Sequence, residues 1–407
     1  MNAQPDIQHI FYPMNKTIII ISLLFTNLSV AGQLQLSDQA QLSMVTIGPY
    51  PPELWSSWGH SAIRIYDPKQ NIDIAYDFGR FSFKQKHFYW NYALGKTYYS
   101  IGKFSGYKRL RQHYVDQNRS IKEQVINLNL EEVQKVFDAL EENNKPENRN
   151  YLYNYVYDNC ATRLVDMVNL AMPNKVLYDS SFLGNDKTIR DLMDEGLTYQ
   201  PWGDLLIDLF LGQQIDKKAD FRETLMMPKY VHLAFAQSKI DRDSVNVPMV
   251  KDNYNIENSP SQLTNGIFTP FNFFILLFFL VGFITNRNFK TQKRTNWVDL
   301  IIFSFVGVLG FICVFLWLGT EHLSKYNWNL LWAIPMHLPA IWLIATKKYQ
   351  FILIRYFRFT GILNALTLLF WVVLPQSLPQ AVVPFVLLLV LRSFYISYDL
   401  DRHKIGH

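Results

Sequence analysis

The sequence predicts an α+β domain on the outer side of a membrane, followed by an all-α transmembrane bundle of about five helices. Three observations support this prediction: an apolar N-terminal run of signal type, a central stretch of mixed strand and helix periodicity, and five apolar runs after residue 266. Hydrophobic residues make up 49% of the 407 residues, and they are concentrated in the N-terminal and C-terminal runs. The sequence therefore divides into an exported domain and a membrane domain.

The N-terminus has the features of a secretory signal peptide, predicted over residues 1–32. Lys16 precedes the apolar run Ile18–Phe25, and Ser29-Val30-Ala31 has the small-x-small form of a cleavage site. An uncleaved anchor helix is the alternative, but the apolar run is short for a membrane span. We therefore expect the domain that follows to be exported.

Residues 33–251 are predicted to form the exported domain. Ser61–Tyr66 and Ile72–Phe78 alternate apolar and polar residues on either side of the turn-forming segment Asp67–Asn71. Alternation of this kind around a turn predicts a β-hairpin.

Apolar residues at helical spacing predict several helices in the same domain. One of them covers Cys160–Ala171 and places Cys160 at its N-terminus. The others are expected over Leu130–Glu142, Asp191–Asp208 and Tyr230–Ile240. The polar residues 252–266 are expected to be a linker.

The five apolar runs predict a transmembrane bundle over residues 267–400. They are Ile267–Thr285, Val298–Leu318, Leu330–Thr346, Phe359–Leu374 and Ala381–Tyr398. Alternate connections carry ten basic residues (Arg287, Lys290, Lys293, Arg294, Lys347, Lys348, Arg355, Arg358, Arg402 and Lys404), whereas the other two carry only Lys325. Because positive loops stay in the cytoplasm, we expect a bacterial inner-membrane protein with a periplasmic domain and a cytoplasmic tail over residues 401–407.

Charge and cysteine content limit the function classes. The net charge of +5 comes mainly from basic clusters between apolar runs, which argues against nucleic-acid binding. Cys160 lies in the exported domain and Cys313 in a predicted span, so the two are not expected to pair. Cys160 is thus a lone thiol in an oxidising compartment, which favours a chemical role.

Two short motifs could carry chemistry. His60 opens a predicted strand after Gly59, and Cys160 begins a predicted helix after Asn159. A helix N-terminus favours the thiolate, an imidazole could accept its proton, and first-turn N–H groups could hold an oxyanion. The predicted site is therefore a cysteine–histidine pair for acyl transfer.

A third residue is expected to orient the imidazole. Asp77 on the second strand of the hairpin is the first candidate, and Asp73 is the alternative because a shift of one residue in register would exchange their faces. Structural roles for the histidine and the cysteine remain the competing interpretation. The sequence indicates no metal site and no cofactor, because one cysteine and scattered histidines offer no ligand spacing.

Further residues are predicted to contact substrate. Trp58, Asn159 and Arg163 flank the two motifs. His322, Asn327 and Asn329 lie in the second outward loop of the membrane domain. The residues of this loop are either interfacial anchors or parts of a site that the exported domain completes over the membrane.

The motifs resemble those of a known family. The segments are WSSWGHSAIRIYDP, YDFGRFSF, DNCATRLVD, MMPKYVHLAF and HLSKYNWNLLW. Together they resemble the Lnb-type family, which includes bacterial lipoprotein N-acyltransferases. The resemblance extends over most of the mature chain.

This resemblance implies a fold, a site and an activity. The periplasmic domain is expected to be similar to permuted papain-like folds of the NlpC/P60 kind, with His60 and Cys160 at the family's histidine and nucleophile. The implied reaction transfers a fatty acyl chain from a membrane phospholipid to the α-amino group of a diacylated lipoprotein. A periplasmic cysteine peptidase or amidase and a non-catalytic envelope protein are the alternatives.

Overall fold

The computed structural model describes residues 34–183, 187–243, 245–259, 266–346 and 348–405. The predicted signal peptide and part of the predicted linker lie outside these residues. The described residues form an α+β domain followed by a helical bundle, so the predicted fold class is confirmed.

The strands of the described residues form two antiparallel sheets. They are β1 (Gln41–Ile47), β2 (His60–Asp67), β3 (Ile72–Arg80), β4 (Tyr98–Phe104), β5 (Ile121–Ile126), β6 (Asn150–Leu152), β7 (Val176–Leu177), β8 (Lys239–Arg242), β9 (Val245–Pro248) and β10 (Val250–Glu257). The main sheet has seven strands in the order β10-β5-β1-β2-β3-β4-β6, and β7, β8 and β9 form the small one.

β2 and β3 form the predicted hairpin. Asp67 pairs with Ile72, and Ala62 pairs with Asp77. Side chains two residues apart on a strand share a face, and so do directly paired residues. His60, Ala62 and Asp77 therefore lie on one face of the sheet.

Eight helices of the described residues belong to the α+β domain. They are α1 (Phe88–Ala93), α2 (Tyr107–Asp116), α3 (Leu130–Asn144), α4 (Cys160–Ala171), α5 (Ile189–Leu197), α6 (Pro201–Phe210), α7 (Phe221–Thr224) and α8 (Pro228–Gln237). The helix expected over 191–208 is divided into α5 and α6, because Pro201 fits the first turn of a helix but not its interior. The helix expected over 230–240 ends at Gln237, and the chain continues into β8.

Helices cover both faces of the main sheet. α3, α4 and α8 pack on one face against a core that includes Met44, Ile63 and Ile65. α2 packs on the other face, where Leu110 meets Ala62. α4 thus lies on one face of the sheet, and the side chain of His60 lies on the other. The N-terminus of α4 and the first residue of β2 are near each other at the end of the sheet.

The segment expected to be a linker is partly a strand. β10 (Val250–Glu257) pairs with β5 and closes one edge of the main sheet. Its polar side chains are largely exposed, which is why its composition is that of a linker although its backbone is paired.

Five helices form the bundle: α9 (Pro270–Thr291), α10 (Asn296–Gly319), α11 (His337–Ala345), α12 (Gln350–Leu369) and α13 (Val383–Ile405). Apart from α11, each lies in a helical segment long and apolar enough to cross a membrane. Many apolar side chains of these helices are exposed, including Phe279, Ile301 and Leu318. Exposed apolar surface of this extent is compatible with a lipid environment.

The third predicted span, Leu330–Thr346, is broken. A 3-10 turn (Trp328–Leu331) and non-helical residues precede α11, whose nine residues rise only about 14 Å. Pro335 explains the break, because it lacks an N–H and disfavours helical geometry in the residue before it.

The two ends of the bundle differ. At one end Arg402 Nη2 donates to Gln292 O (3.1 Å), and Arg294 Nε lies 3.6 Å from Asp399 Oδ2. Arg358 on α12 contacts Asp401 near the same end. The basic residues after α9, early in α12 and late in α13 are thus close together.

The α+β domain docks at the other end through α6. Leu205 and Leu209 pack into the same apolar cluster as Phe274 and Val281 of α9. Trp202 Nε1 donates to Phe268 O (3.0 Å). The domain is therefore held against the bundle and is not merely tethered to it.

Candidate active site

Cys160 is the first residue of α4, as predicted. Asn159 caps this helix: its Oδ1 accepts from Ala161 N (2.9 Å) and Thr162 N (3.0 Å). Arg163 N donates to Asn159 O. Among the described residues, the N–H of Cys160 is therefore the one first-turn donor without an acceptor. The oxyanion donor expected here is therefore a single N–H and not a set of them.

His60 is the first residue of β2 and pairs with Ile47 at the end of β1. The preceding Gly59 has φ +87°, and a Cβ at that position would lie 2.6 Å from Ile47 O. Only glycine avoids both the strain and this clash. Gly59 thus allows the chain to turn tightly into the strand and places the imidazole at the end of the sheet.

Asp77 is the carboxylate beside the imidazole. Its Oδ2 lies 3.2 Å from His60 Nε2, and its Oδ1 accepts from Arg80 Nε at 2.6 Å. The alternative, Asp73, instead forms a two-pronged ion pair with Arg64 at 2.7 and 3.1 Å. Because Nε2 of the ring interacts with Asp77, Nδ1 is the nitrogen that remains for an interaction with a thiol.

Cys160 lies near enough to His60 for the charge of its thiolate to act on the imidazole ring. Burial of the ring lowers the pKa of His60. The negative charges that Tyr114 and Cys160 carry when ionised raise this pKa, and so do the side-chain interactions with Asp77 and Cys160. Together they hold the pKa of His60 well above its usual value. The imidazole is therefore a strong proton acceptor for the thiol.

Gly79 lies where β3 meets the start of α4. It has φ +92° and lies where the register of β3 with β4 shifts between Asp77 and Arg80. A Cβ on Gly79 would lie 3.6 Å from Cys160 Cβ and 3.8 Å from the Tyr153 ring. The irregularity thus joins the end of β3 to the start of α4.

Three residues near the site were not predicted from the sequence. The Tyr114 ring lies 6.1 Å from that of His60, and the buried Arg119 lies over Tyr114 and donates to Gly48 O at 2.7 Å. Arg80 holds Asp77 from the side opposite His60. None of the three had a signal in the sequence, because residues three apart on a regular strand lie on opposite faces, and only the irregularity between Asp77 and Arg80 brings this pair together.

The three residues beside the motifs that are expected to contact substrate, Trp58, Asn159 and Arg163, each have hydrogen-bond partners within the domain. Trp58 Nε1 donates to Met193 O (3.0 Å), and Asn159 Nδ2 donates to two backbone carbonyls at 2.8 Å. Arg163 forms a two-pronged ion pair with Asp158 at 2.6 and 2.8 Å. Their contact with substrate stays a prediction.

His322, Asn327 and Asn329 connect the two domains. His322 Nε2 lies 3.0 Å from Tyr92 O. Asn327 Nδ2 donates to Leu209 O (2.8 Å) and Asn329 Nδ2 to Asp208 O (3.0 Å), and both asparagines are buried. These contacts hold the two domains together, and the binding of substrate by these residues stays a prediction.

A cluster of carboxylates lies where α5 meets α6. Asp194, Asp204 and Asp208 each place an oxygen within 4.8 Å of the others. Asp208 is paired with Arg190 (2.6 Å). Burial and the charge of Asp208 raise the pKa of Asp194 to about 8 and that of Asp204 to about 6, so the cluster holds protons near neutral pH.

The arrangement around Cys160 has the parts of a nucleophilic acyl-transfer site. It contains a thiol at a helix N-terminus, an imidazole near it and a carboxylate beside the ring. Such a site can form and resolve a thioester.

Two protein-family models match the chain. The Lnb N-terminal periplasmic domain matches residues 33–195, and the Lnb transmembrane domain matches residues 262–404. The first range includes His60, Asp77 and Cys160, and the second includes all five bundle helices almost completely. No curated protein and no solved structure matches the chain.

Proposed function

The chain belongs to the Lnb family in both its N-terminal periplasmic domain and its transmembrane domain, and on that premise we propose that it is a lipoprotein N-acyltransferase. It takes a fatty acyl chain from a membrane phospholipid, holds it as a thioester on Cys160, and transfers it to the α-amino group of a diacylated lipoprotein.

The observation that carries this proposal is the position of Cys160 near His60, whose ring lies 3.2 Å from Asp77. His60 accepts the thiol proton while Cys160 Sγ attacks the ester carbonyl. The carbon–oxygen bond of the ester then breaks, and His60 returns the proton to the departing alcohol of the lysophospholipid. The Cys160 N–H supports the transient oxyanion.

The second half-reaction uses the same groups. The α-amine of the acceptor attacks the thioester carbonyl and passes a proton to His60. The carbon–sulfur bond breaks, and His60 returns that proton to the Cys160 thiolate. An ester is thus exchanged for an amide, which is the more stable product.

The docking of the domain on the bundle supports a membrane substrate. Buried asparagines and α6 fix the domain against the end of the bundle opposite the basic loops. Acyl chains reside in the bilayer, so an enzyme that uses them gains from a site held at its surface. A hydrolase of soluble peptides would need no such attachment.

Transfer to a synthetic diacylated lipopeptide tests the proposal. The full-length protein in phospholipid vesicles is expected to add the mass of one fatty acyl group to the lipopeptide amine. Cys160→Ser is expected to abolish this transfer, and His60→Ala to slow it by about 10²–10⁴-fold.

Cys313→Ser is the matched control, because Cys313 is a buried cysteine of α10 whose hydrogen bond to Leu209 O a serine hydroxyl can also donate. It is expected to transfer at the rate of the wild type. Acylation by Cys160→Ser at full rate would refute the proposal. Hydrolysis of envelope peptides without acyl transfer would favour the peptidase instead.

A further inference from the structure

A continuous set of aromatic side chains leads away from the candidate nucleophile. We call it the aromatic strip, and its members are Trp55, Phe81, Phe83, Tyr92, Tyr99 and Tyr153. Trp55, Phe83 and Tyr92 are 60, 59 and 57% exposed, and the other three are half-buried. Exposed apolar side chains in one connected patch commonly mark a binding surface.

The strip begins at Cys160. Tyr153 and Cys160 both lie within 4 Å of where a Cβ on Gly79 would stand, so their side chains flank the same glycine. The Tyr153 ring stacks on Tyr99 at 4.0 Å, and Tyr99 meets Phe81 at 5.2 Å between ring centroids. An apolar path therefore starts beside the thiol.

From Phe81 the path continues towards α1. Phe83 lies 5.2 Å from Phe81, and Trp55 approaches Phe81 from the other side at 6.2 Å. The buried Phe88 lies beneath them, 6.0 Å from Phe81 and 6.0 Å from Tyr92. Phe88 therefore connects Phe81 to Tyr92.

The far end of the strip touches the membrane domain. The Trp90 ring lies 6.2 Å from that of Phe315, near the outer end of α10. Glu321 N donates to Leu94 O (3.0 Å), which fixes the segment after α1 to the outer loop of the bundle. The strip thus ends where lipid would contact α10.

Charge at this end fits a phospholipid surface. Lys84 and Lys86 are exposed between Phe83 and Phe88. Aromatic side chains beside lysines are typical of the membrane interface, where rings lie among the headgroups and amines meet phosphates.

We propose that the acyl chain of the phospholipid donor lies along the aromatic strip, from the outer leaflet beside α10 to the Cys160 thiol. This inference rests on the proposed function and adds the binding site of the acyl chain. The carbonyl of the ester reaches Cys160 while the methylene chain covers Tyr153, Tyr99 and Phe81.

A chemically attached chain tests the path without relying on the enzyme's own reaction. In the full-length Cys313→Ser protein, Cys160 is treated with a long-chain alkyl methanethiosulfonate that carries a diazirine near its methyl end. The thiolate displaces sulfinate and forms a mixed disulfide, and illumination followed by peptide mass spectrometry maps where the chain lies.

The label is expected on the peptides that contain Phe81, Phe83 and Tyr92, in about tenfold excess over the peptide that contains Tyr254. Tyr254 is a suitable reference because it is exposed on β10, at the opposite edge of the main sheet from β6. Phe83→Ala is expected to reduce labelling of the Tyr92 peptide about fivefold, whereas Tyr254→Ala leaves it unchanged.

Label spread evenly over the domain, or concentrated away from the strip, would overturn the inference. So would a labelling pattern that Phe83→Ala does not change. The two proposals can fail separately: a chain that follows the strip in a protein that never acquires an acyl group from phospholipid would refute only the proposed function.

Discussion

Asp77 lies between two cationic groups, and this position determines how firmly the His60 ring is held. One carboxylate oxygen faces His60 Nε2 at 3.2 Å and the other accepts from Arg80 at 2.6 Å. The side chain of Asp77 is only 5% exposed. An anion held in this way stabilises the imidazolium and directs the other ring nitrogen to the thiol.

Asp77→Asn is expected to reduce acyl transfer by about 10–10³-fold. The neutral amide no longer stabilises the imidazolium, so the pKa of His60 falls towards its usual value and the ring accepts the thiol proton less readily. Alkylation of Cys160 by iodoacetamide is therefore expected to require a higher pH in the variant than in the wild type.

Asp73→Asn is the matched control, because Asp73 is on the same strand but pairs with Arg64. Its effect on transfer is expected to stay within about twofold, as for other partly exposed ion pairs. Equal losses in the two variants would mean that Asp77 acts through the stability of β3 and not through His60.

The central residues of this site could be predicted, and their surroundings could not. Cys160 follows a capping asparagine and begins an apolar helical pattern, so the local sequence places it at a helix N-terminus. The hairpin pattern likewise places Asp77 near His60. Tyr114 and Arg119 reach the site from α2 and the turn after it. Their approach depends on how α2 packs across the sheet, which no local pattern records.

At the scale of elements, the junction of α5 and α6 depends on pH. The pKa of Asp194 is raised to about 8, chiefly by burial and then by Asp208. In the unfolded chain the same group titrates at about 3.9. Between these values the folded state binds more protons, so its free energy of unfolding decreases as the pH rises and levels off above about pH 8.

Asp194→Asn is expected to flatten this dependence, because an amide does not ionise. The midpoint of thermal unfolding of the wild type is predicted to fall more steeply between pH 5 and pH 8 than that of the variant. Asp116→Asn serves as the control, since Asp116 is exposed at the end of α2. A slope in Asp194→Asn as steep as in this control would contradict the assigned role of burial.

Element boundaries were predictable where the amphipathic pattern is strong, as in α3, and less so elsewhere. β10 carries mostly polar side chains and is recognisable only by its pairing with β5. The third span is apolar apart from His337 and its terminal Thr346, so composition does not reveal its break, although Pro335 marks the position. These elements take their form from tertiary contacts and not from local sequence.

For the whole molecule, the contacts at the two ends of the bundle determine the path of the chain. Asn327 and Asn329 hold the start of the broken segment against the α+β domain, and α12 begins towards the end where Arg358 meets Asp401. The chain therefore passes through the bundle here as well, although α11 alone is too short to do so.

We expect five passes from the periplasmic domain, which would place the C-terminus in the cytoplasm. A reporter that is active only in the cytoplasm is expected to function when fused after His407, and a periplasm-specific reporter is expected to be silent there. The positive connection after α9 supports the same orientation. Activity of the periplasmic reporter alone would show that the broken segment does not cross.

The thioester on Cys160 provides the most direct test. Purified full-length protein is incubated with phospholipid but without an amine acceptor and is then analysed by intact mass spectrometry, with Cys160→Ser as the control. The wild type is expected to gain one fatty acyl group on Cys160 that hydroxylamine removes near neutral pH, because thioesters yield to this nucleophile and amides do not. An unmodified Cys160, in a preparation that still transfers acyl chains to a lipopeptide, would contradict the proposed mechanism.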